Sequence, residues 1–363
     1  MRRLIFHRRH GRSALHDSLT IAGSIGVALL AGYLFLEASG IDAAGAYRAL
    51  LVDPLGTSYG FFETLVKAIP LILTGLAVAV AFRMRLWNIG AEGQLYAGAL
   101  AATYVALFTP DFGLPRAPLM LVAACAAGAV WAAVPGVLRA TLGVSEILVT
   151  LMGNYVAILV ADHLCYGPWK GKTTFGFPMS DRFPDDAALP AFAGTRLHVG
   201  LFVGVLCSLA LWALLWRTKW GFQVRVAGSN VRAAEYAGYR VKRDAVVVMI
   251  LSGTLAGMAG GVELSGVLHR LQPRFSPGYG YTAILVAWLA RLHPLAVPLV
   301  AFLFGVLLTG GEQLQVMGIS SSLVDVLQGL ILLSVLAADA AANWRMAWVV
   351  HQGSALSEGV VHD

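Results

Sequence analysis

Residues 65–82 read Leu-Val-Lys-Ala-Ile-Pro-Leu-Ile-Leu-Thr-Gly-Leu-Ala-Val-Ala-Val-Ala-Phe, an apolar run whose single charge, Lys67, lies near its start. As a helix it would rise about 27 Å, close to the roughly 30 Å hydrocarbon core of a bilayer. Working outward, charge-free runs recur at 19–36, 93–110, 117–138, 147–161, 197–216, 245–262 and 292–311. Two further candidates are weaker: 279–290 is short, and 316–338 contains Asp325. Short or interrupted segments of this kind mark broken helices beside a pathway. Together the runs predict an all-α, polytopic membrane protein with about ten transmembrane helices, some short or broken. The run 19–36 is longer than the apolar core of a usual signal peptide and more spans follow it, so it reads as an uncleaved first span.

Composition agrees. Of 363 residues, 58% are hydrophobic and 13% charged, about half the charge of a soluble domain. A chain of this length has too little polar cover for an aqueous surface, which leaves lipid as its solvent. The three cysteines, Cys125, Cys165 and Cys207, are too scattered for a disulfide framework or a zinc cluster and read as packing residues.

The net charge of +6 is distributed as a topology signal. With the N-terminus inside, ten spans return the C-terminus inside. Of the 26 Lys and Arg, 17 then fall on the cytoplasmic side and 26 − 17 = 9 outside. The chain thus divides into a basic cytoplasmic tail (1–16), a membrane domain (17–342) with a long cytoplasmic loop (217–243), and a second cytoplasmic tail (343–363). The segment 165–196 becomes the longest external loop, and the basic excess is no nucleic-acid stripe.

Chemical motifs fail on inspection. Gly171-Lys172-Thr173 lacks the spacing and preceding strand of a phosphate-binding loop, and Gly278-Tyr279-Gly280-Tyr281 lacks the βαβ setting of a dinucleotide site. No histidine spacing suits a metal, and no Ser/His/Asp grouping forms a nucleophile motif. The sequence therefore predicts no catalytic residues, no metal and no cofactor, and any energy source must come from a partner.

Three stretches carry information. In 82–99, Asn88, Glu92 and Gln94 enter an apolar span among Gly90, Gly93 and Gly98. Such groups must face protein or water, either as a polar knot between helices or as the lining of a path. In 143–155, Glu146, Thr150 and Asn154 recur every four residues and share one helix face, although Glu146 also suits a cap. In the long loop, Asn230 is placed to cap a short helix that Gly238 ends, with Ala233, Ala234 and Ala237 as small residues and Glu235 between them. Downstream, Gly253, Gly257 and Gly261 repeat every four residues and form a face suited to a neighbouring helix.

These stretches, taken in order with Gly278-Tyr279-Gly280-Tyr281, Ala287-Trp288-Leu289-Ala290-Arg291 and Pro294-Leu295, resemble the permease family of ABC importers for simple sugars, branched-chain amino acids and nucleosides. The likeness covers about residues 60–335, and the 88–94 block is most similar to the nucleoside-type subgroup. Trp87, Gly153 and Tyr239 depart from the usual pattern. The resemblance implies a bacterial inner-membrane permease with separate ATPase subunits, a second permease, identical or paralogous, and an extracytoplasmic substrate-binding lipoprotein. It implies ATPase coupling through Gly228, Asn230, Ala233, Ala234, Glu235 and Gly238. It leaves Asn88, Glu92, Gln94, Glu146, Thr150 and Asn154 as candidates for the substrate path. Aromatic residues near that path, Trp87, Tyr96 and Tyr155, would suit stacking on a nucleobase. Two rivals remain: an ion-coupled transporter using the deeper acids Glu92, Glu263, Glu312 or Asp325, and a membrane-embedded transferase or scaffold.

Overall fold

The computed structural model describes residues 2–8, 26, 30–110, 113, 115–192, 194–320, 344–350 and single positions between 326 and 337. It divides into two compact units, Leu50–Gln313 and Met1–Ala49 with Leu314–Asp363.

The larger unit is a helical bundle. Its helices are α1 (Ser58–Arg83), α2 (Ala91–Phe108), α3 (Arg116–Leu142), α4 (Glu146–Tyr166), α5 (Gly200–Arg217), α6 (Lys219–Ser229), α7 (Val231–Tyr236), α8 (Val241–Glu263), α9 (Tyr279–Leu289) and α10 (Val297–Val316). Among the described residues six helices are long and apolar enough to cross a membrane, and α9 is a shorter apolar helix. This is the expected polytopic all-α architecture. The two terminal spans read from the sequence, 19–36 and 316–338, lie largely outside the described residues.

The apolar run 65–82 becomes the core of the bundle. Because α1 is apolar on every side, it is buried over almost its whole length. By contrast α3, α4 and α5 bury only a stripe each and expose the rest. On α3 that stripe is small, with Ala124, Gly128 and Ala132 facing the glycine repeat of α8. A Cβ on Gly257 would meet Gly128 at 2.9 Å and collide with the Ala124 carbonyl, so the backbones touch there as the repeat predicts.

Two stretches of non-helical backbone interrupt the bundle. Residues 84–90 follow Arg83, and 269–278 follow the π-turn Leu264–Leu268 that ends α8. Such backbone is tolerated at membrane depth only where protein or water satisfies it.

One end of the bundle gathers Arg83, Arg139, Arg217 and Arg225, and we call it the basic end. At the opposite end Arg116 pairs with Asp186 at 3.1 Å, Arg196 with Glu63 at 3.2 Å and Lys67 with Glu312 at 2.6 Å. There the loop after α4 is tied down by Ser180 and Phe183, whose N–H groups donate to Leu271 and His269. Its Asp181 accepts from the hydroxyl and N–H of Thr173 and the N–H of Lys172, which holds its carboxyl below the usual range.

The smaller unit holds a helix over 30–38 and the short helix Ala43–Tyr47, where Tyr33 stacks on Tyr47. It also holds a feature the sequence did not signal. Strand β1 (Arg2–Arg8) pairs antiparallel with β2 (Trp344–Val350), so segments of both tails form one ribbon.

Candidate functional site

All six polar residues read from the sequence as path candidates are buried. Asn88, Glu92, Gln94 and Asn154 bond to or across the two irregular segments, whereas Thr150 bonds only within its own helix. Asn88 and Gln94 exchange paired amide bonds at 3.0 Å, and Asn88 Nδ2 also donates to Ser252 Oγ at 2.8 Å. Ser252 in turn donates to the Ala77 carbonyl of α1. Asn88 thus joins the turn after α1 to α2, α8 and, through Ser252, the central helix.

Asn154 closes the next layer. Its Oδ1 accepts from Gly93 N at 2.8 Å, and its Nδ2 donates to Ile89 O at 2.9 Å and to the Tyr281 hydroxyl at 3.3 Å. The glycines make this approach possible, since a Cβ on Gly93 would meet the Asn154 backbone at 2.9 Å.

Glu92 has a distinct task. The N-terminus of α9 carries backbone N–H groups without helical partners. Ser276 Oγ accepts from Gly278 and Tyr279 N at 3.2 Å, and Glu92 Oε2 accepts from Gly280 N at 2.6 Å. A carboxylate on α2 therefore caps a helix that begins inside the bundle, where the helix dipole favours negative charge.

Glu146 and Thr150 are used more locally. Glu146 accepts from Trp87 N at 3.2 Å and pairs with Arg139 at 3.3 Å, while the Thr150 hydroxyl donates to its own helix. Glu146, Thr150 and Asn154 do share the buried stripe of α4, as their spacing predicts. Gln94 and Thr150 also border a cavity of about 180 Å³ walled by Trp131, Val134 and Val156.

Ser252, Ser276 and Tyr281 belong to this network and were not singled out as site residues. Ser252 was visible only as a hydroxyl beside the glycine repeat, and Tyr281 only as part of the Gly278–Tyr281 stretch. Of the aromatic candidates, Tyr96 is buried and packs 4.6 Å from Phe275, so it is closed to any solute, whereas Trp87 and Tyr155 are exposed.

At the basic end, α6 folds back on α1 and α5. Gly228 lies against the Arg83 carbonyl so closely that a Cβ would collide with it. Trp216 of α5 is overlain by Arg83 at 4.9 Å and Arg225 at 5.4 Å, and it packs on His293 at 4.8 Å. Arg225 also donates to the Leu215 carbonyl. Asn230 caps α7, its side chain accepting from Ala233 N at 3.1 Å, and Gly238 beyond its end has φ +78°. Ala234 is fully buried and seats α7 on its own subunit, while Ala233, Glu235, Tyr236 and Ala237 are exposed. The small outward face is therefore Ala233 and Ala237, without Ala234. Among the described residues no group of three His, Cys, Asp or Glu is placed to hold a metal.

The same helices are matched by known proteins. The family model of the branched-chain amino acid transport system permease component matches residues 60–336. A glucose ABC transporter permease protein of Haloferax volcanii is 38% identical, covering 88% of this chain and 87% of the relative. A guanosine ABC transporter permease protein of Bacillus subtilis is 33% identical, covering 85% and 89%. A second guanosine permease protein of that organism is 26% identical, covering 67% and 78%. The family match takes in both irregular segments, the network between them and the basic-end helices, and so the chain belongs to the permease component family of branched-chain amino acid transport systems, as an ABC transporter permease.

Proposed function

We propose that this permease forms half of the translocation path of an ATP-driven importer for nucleosides. ATP hydrolysis belongs to separate ATPase subunits, and an extracytoplasmic lipoprotein delivers the solute. The observation that carries the reading is the basic end: a short, capped helix, α7, presents Ala233 and Ala237 to solvent from a segment tied to α1 and α5. Such a helix suits a groove on an ATPase, and the Trp216 junction would hand its displacement to the spanning helices.

The positive-inside bias favours a cytoplasmic basic end, an external loop after α4 and, by the ten-span count, cytoplasmic termini. Two guanosine permeases of one organism match this chain unequally, which favours a paralogue as the second permease subunit.

Nucleosides are favoured by the 88–94 block and by the guanosine relatives. The glucose relative supports a second reading, a hexose as cargo. Deleting the gene is expected to abolish most uptake of labelled guanosine and leave glucose uptake intact. Normal guanosine uptake with loss of glucose uptake would move the protein to the sugar branch.

A further inference from the structure

The half-helix α9 sets one hydroxyl in an unusual place. Tyr281 lies in its first turn and accepts from Asn154 Nδ2, but its own proton has no acceptor among the described residues. Two counts fix its depth. Asn154 is eight residues into α4 from the basic end, and Tyr281 is eight residues from the basic end of α9. At 1.5 Å per residue each count gives about 12 Å, near the middle of a bilayer core of about 30 Å. Two helices running in opposite chain directions therefore agree.

A phenol with a free donor at that depth is costly against hydrocarbon. Yet Tyr281 is 37% exposed. Its neighbour across the network, Tyr155, adjoins Asn154 and is 55% exposed. The same face of α9 continues two turns to Trp288, whose ring lies 6.2 Å from Trp87. The phenol of Tyr281 at mid-bundle depth suits a wet surface, whereas Trp87 and Trp288 lie toward the basic end, where interfacial rings are also found.

We propose that Tyr281 contacts the transported solute. Its hydroxyl donates to an acceptor on the solute, and its ring with that of Tyr155 offers a face to a flat heterocycle. The solute class is a nucleoside, which carries ring acceptors, a stacking plane and a hydroxylated sugar. The proposal rests on the importer reading above.

The test uses the complete transporter in cells, with tritiated guanosine and labelled glucose measured in parallel. Tyr281→Phe is fold-safe, because Asn154 Nδ2 keeps its bond to Ile89 O and nothing buried loses its only partner. We expect guanosine uptake to fall about tenfold in Tyr281→Phe and further in Tyr281→Leu, at equal abundance and equal ATPase copurification. A positional readout comes from Tyr281→Cys in a background where Cys125, Cys165 and Cys207 are alanine. Its alkylation by a small thiol reagent should slow at least threefold while guanosine is being transported. Unchanged alkylation, or wild-type uptake by Tyr281→Phe, overturns the contact. Uptake and protection by glucose alone overturn the nucleoside class but keep the contact. ATP-independent uptake overturns the importer reading itself.

Discussion

A carboxylate inside a membrane bundle needs hydrogen bonds or a partner, and Glu92 finds them at the N-terminus of α9. The role assigned by geometry is positional: Glu92 holds the start of a half-helix at the depth where Tyr281 and Asn154 meet. Replacing it by alanine leaves Gly280 N without its acceptor, a loss of about 1–3 kcal/mol. Glutamine keeps one acceptor at the same reach, gives up the charge and turns the second oxygen into an N–H donor. Thermal unfolding of the purified permease should therefore show a clear drop for Glu92→Ala and a small one for Glu92→Gln, with uptake following the same order. If Glu92→Gln unfolds like wild type yet loses uptake as completely as Glu92→Ala, the charge itself serves transport and the capping role is insufficient. At this scale the sequence was partly legible. The four-residue spacing of Glu146, Thr150 and Asn154 revealed their common face, because periodicity is local information. The partners of Asn88 and Glu92 were not legible, because Ser252 and Gly280 lie 164 and 188 residues away in the chain.

Among the elements, α9 was foreshadowed by its short apolar run, and the α3–α8 contact by the glycine repeat. The orientation of α7 was not, because six residues make fewer than two turns and carry no period to read. Its geometry sharpens the coupling proposal. Ala234 is buried against its own subunit, so Ala234→Trp overpacks the permease and should lower its abundance, a loss of about 1–3 kcal/mol or more. Ala233 is exposed on the same helix, so Ala233→Trp should leave abundance and insertion unchanged. If α7 sits in a groove of the ATPase, Ala233→Trp should cut ATPase copurification and ATP-driven uptake at least tenfold. Full ATPase occupancy with normal uptake in Ala233→Trp would reduce α7 to a solvated loop. The ribbon of β1 and β2 is the element least accessible to sequence reading: its two strands lie more than 300 residues apart with no turn between them.

At the scale of the molecule, one question decides every mechanistic statement: which end of the bundle faces the cytoplasm. ATP is a cytoplasmic ligand, so α7 can meet an ATPase only if the basic end is inside. The positive-inside bias favours that orientation. In the ten-span reading 17 of the 26 Lys and Arg would be cytoplasmic, and basic residues near span ends resist translocation. The opposite end carries Asp181, Asp185, Asp186 and Glu63, and two of its arginines, Arg116 and Arg196, are paired with carboxylates. Two exposed residues make the test direct. Tyr236 ends α7 and is 95% exposed, and Phe175 lies in the loop after α4 and is 98% exposed. Neither packs on the bundle, so cysteine at either position should leave the fold intact. In whole cells a membrane-impermeant maleimide should label Phe175→Cys and spare Tyr236→Cys, and permeabilisation should expose the second site. The reverse pattern would put α7 outside, away from ATP, and would remove the coupling role, the direction of import and the solute path together.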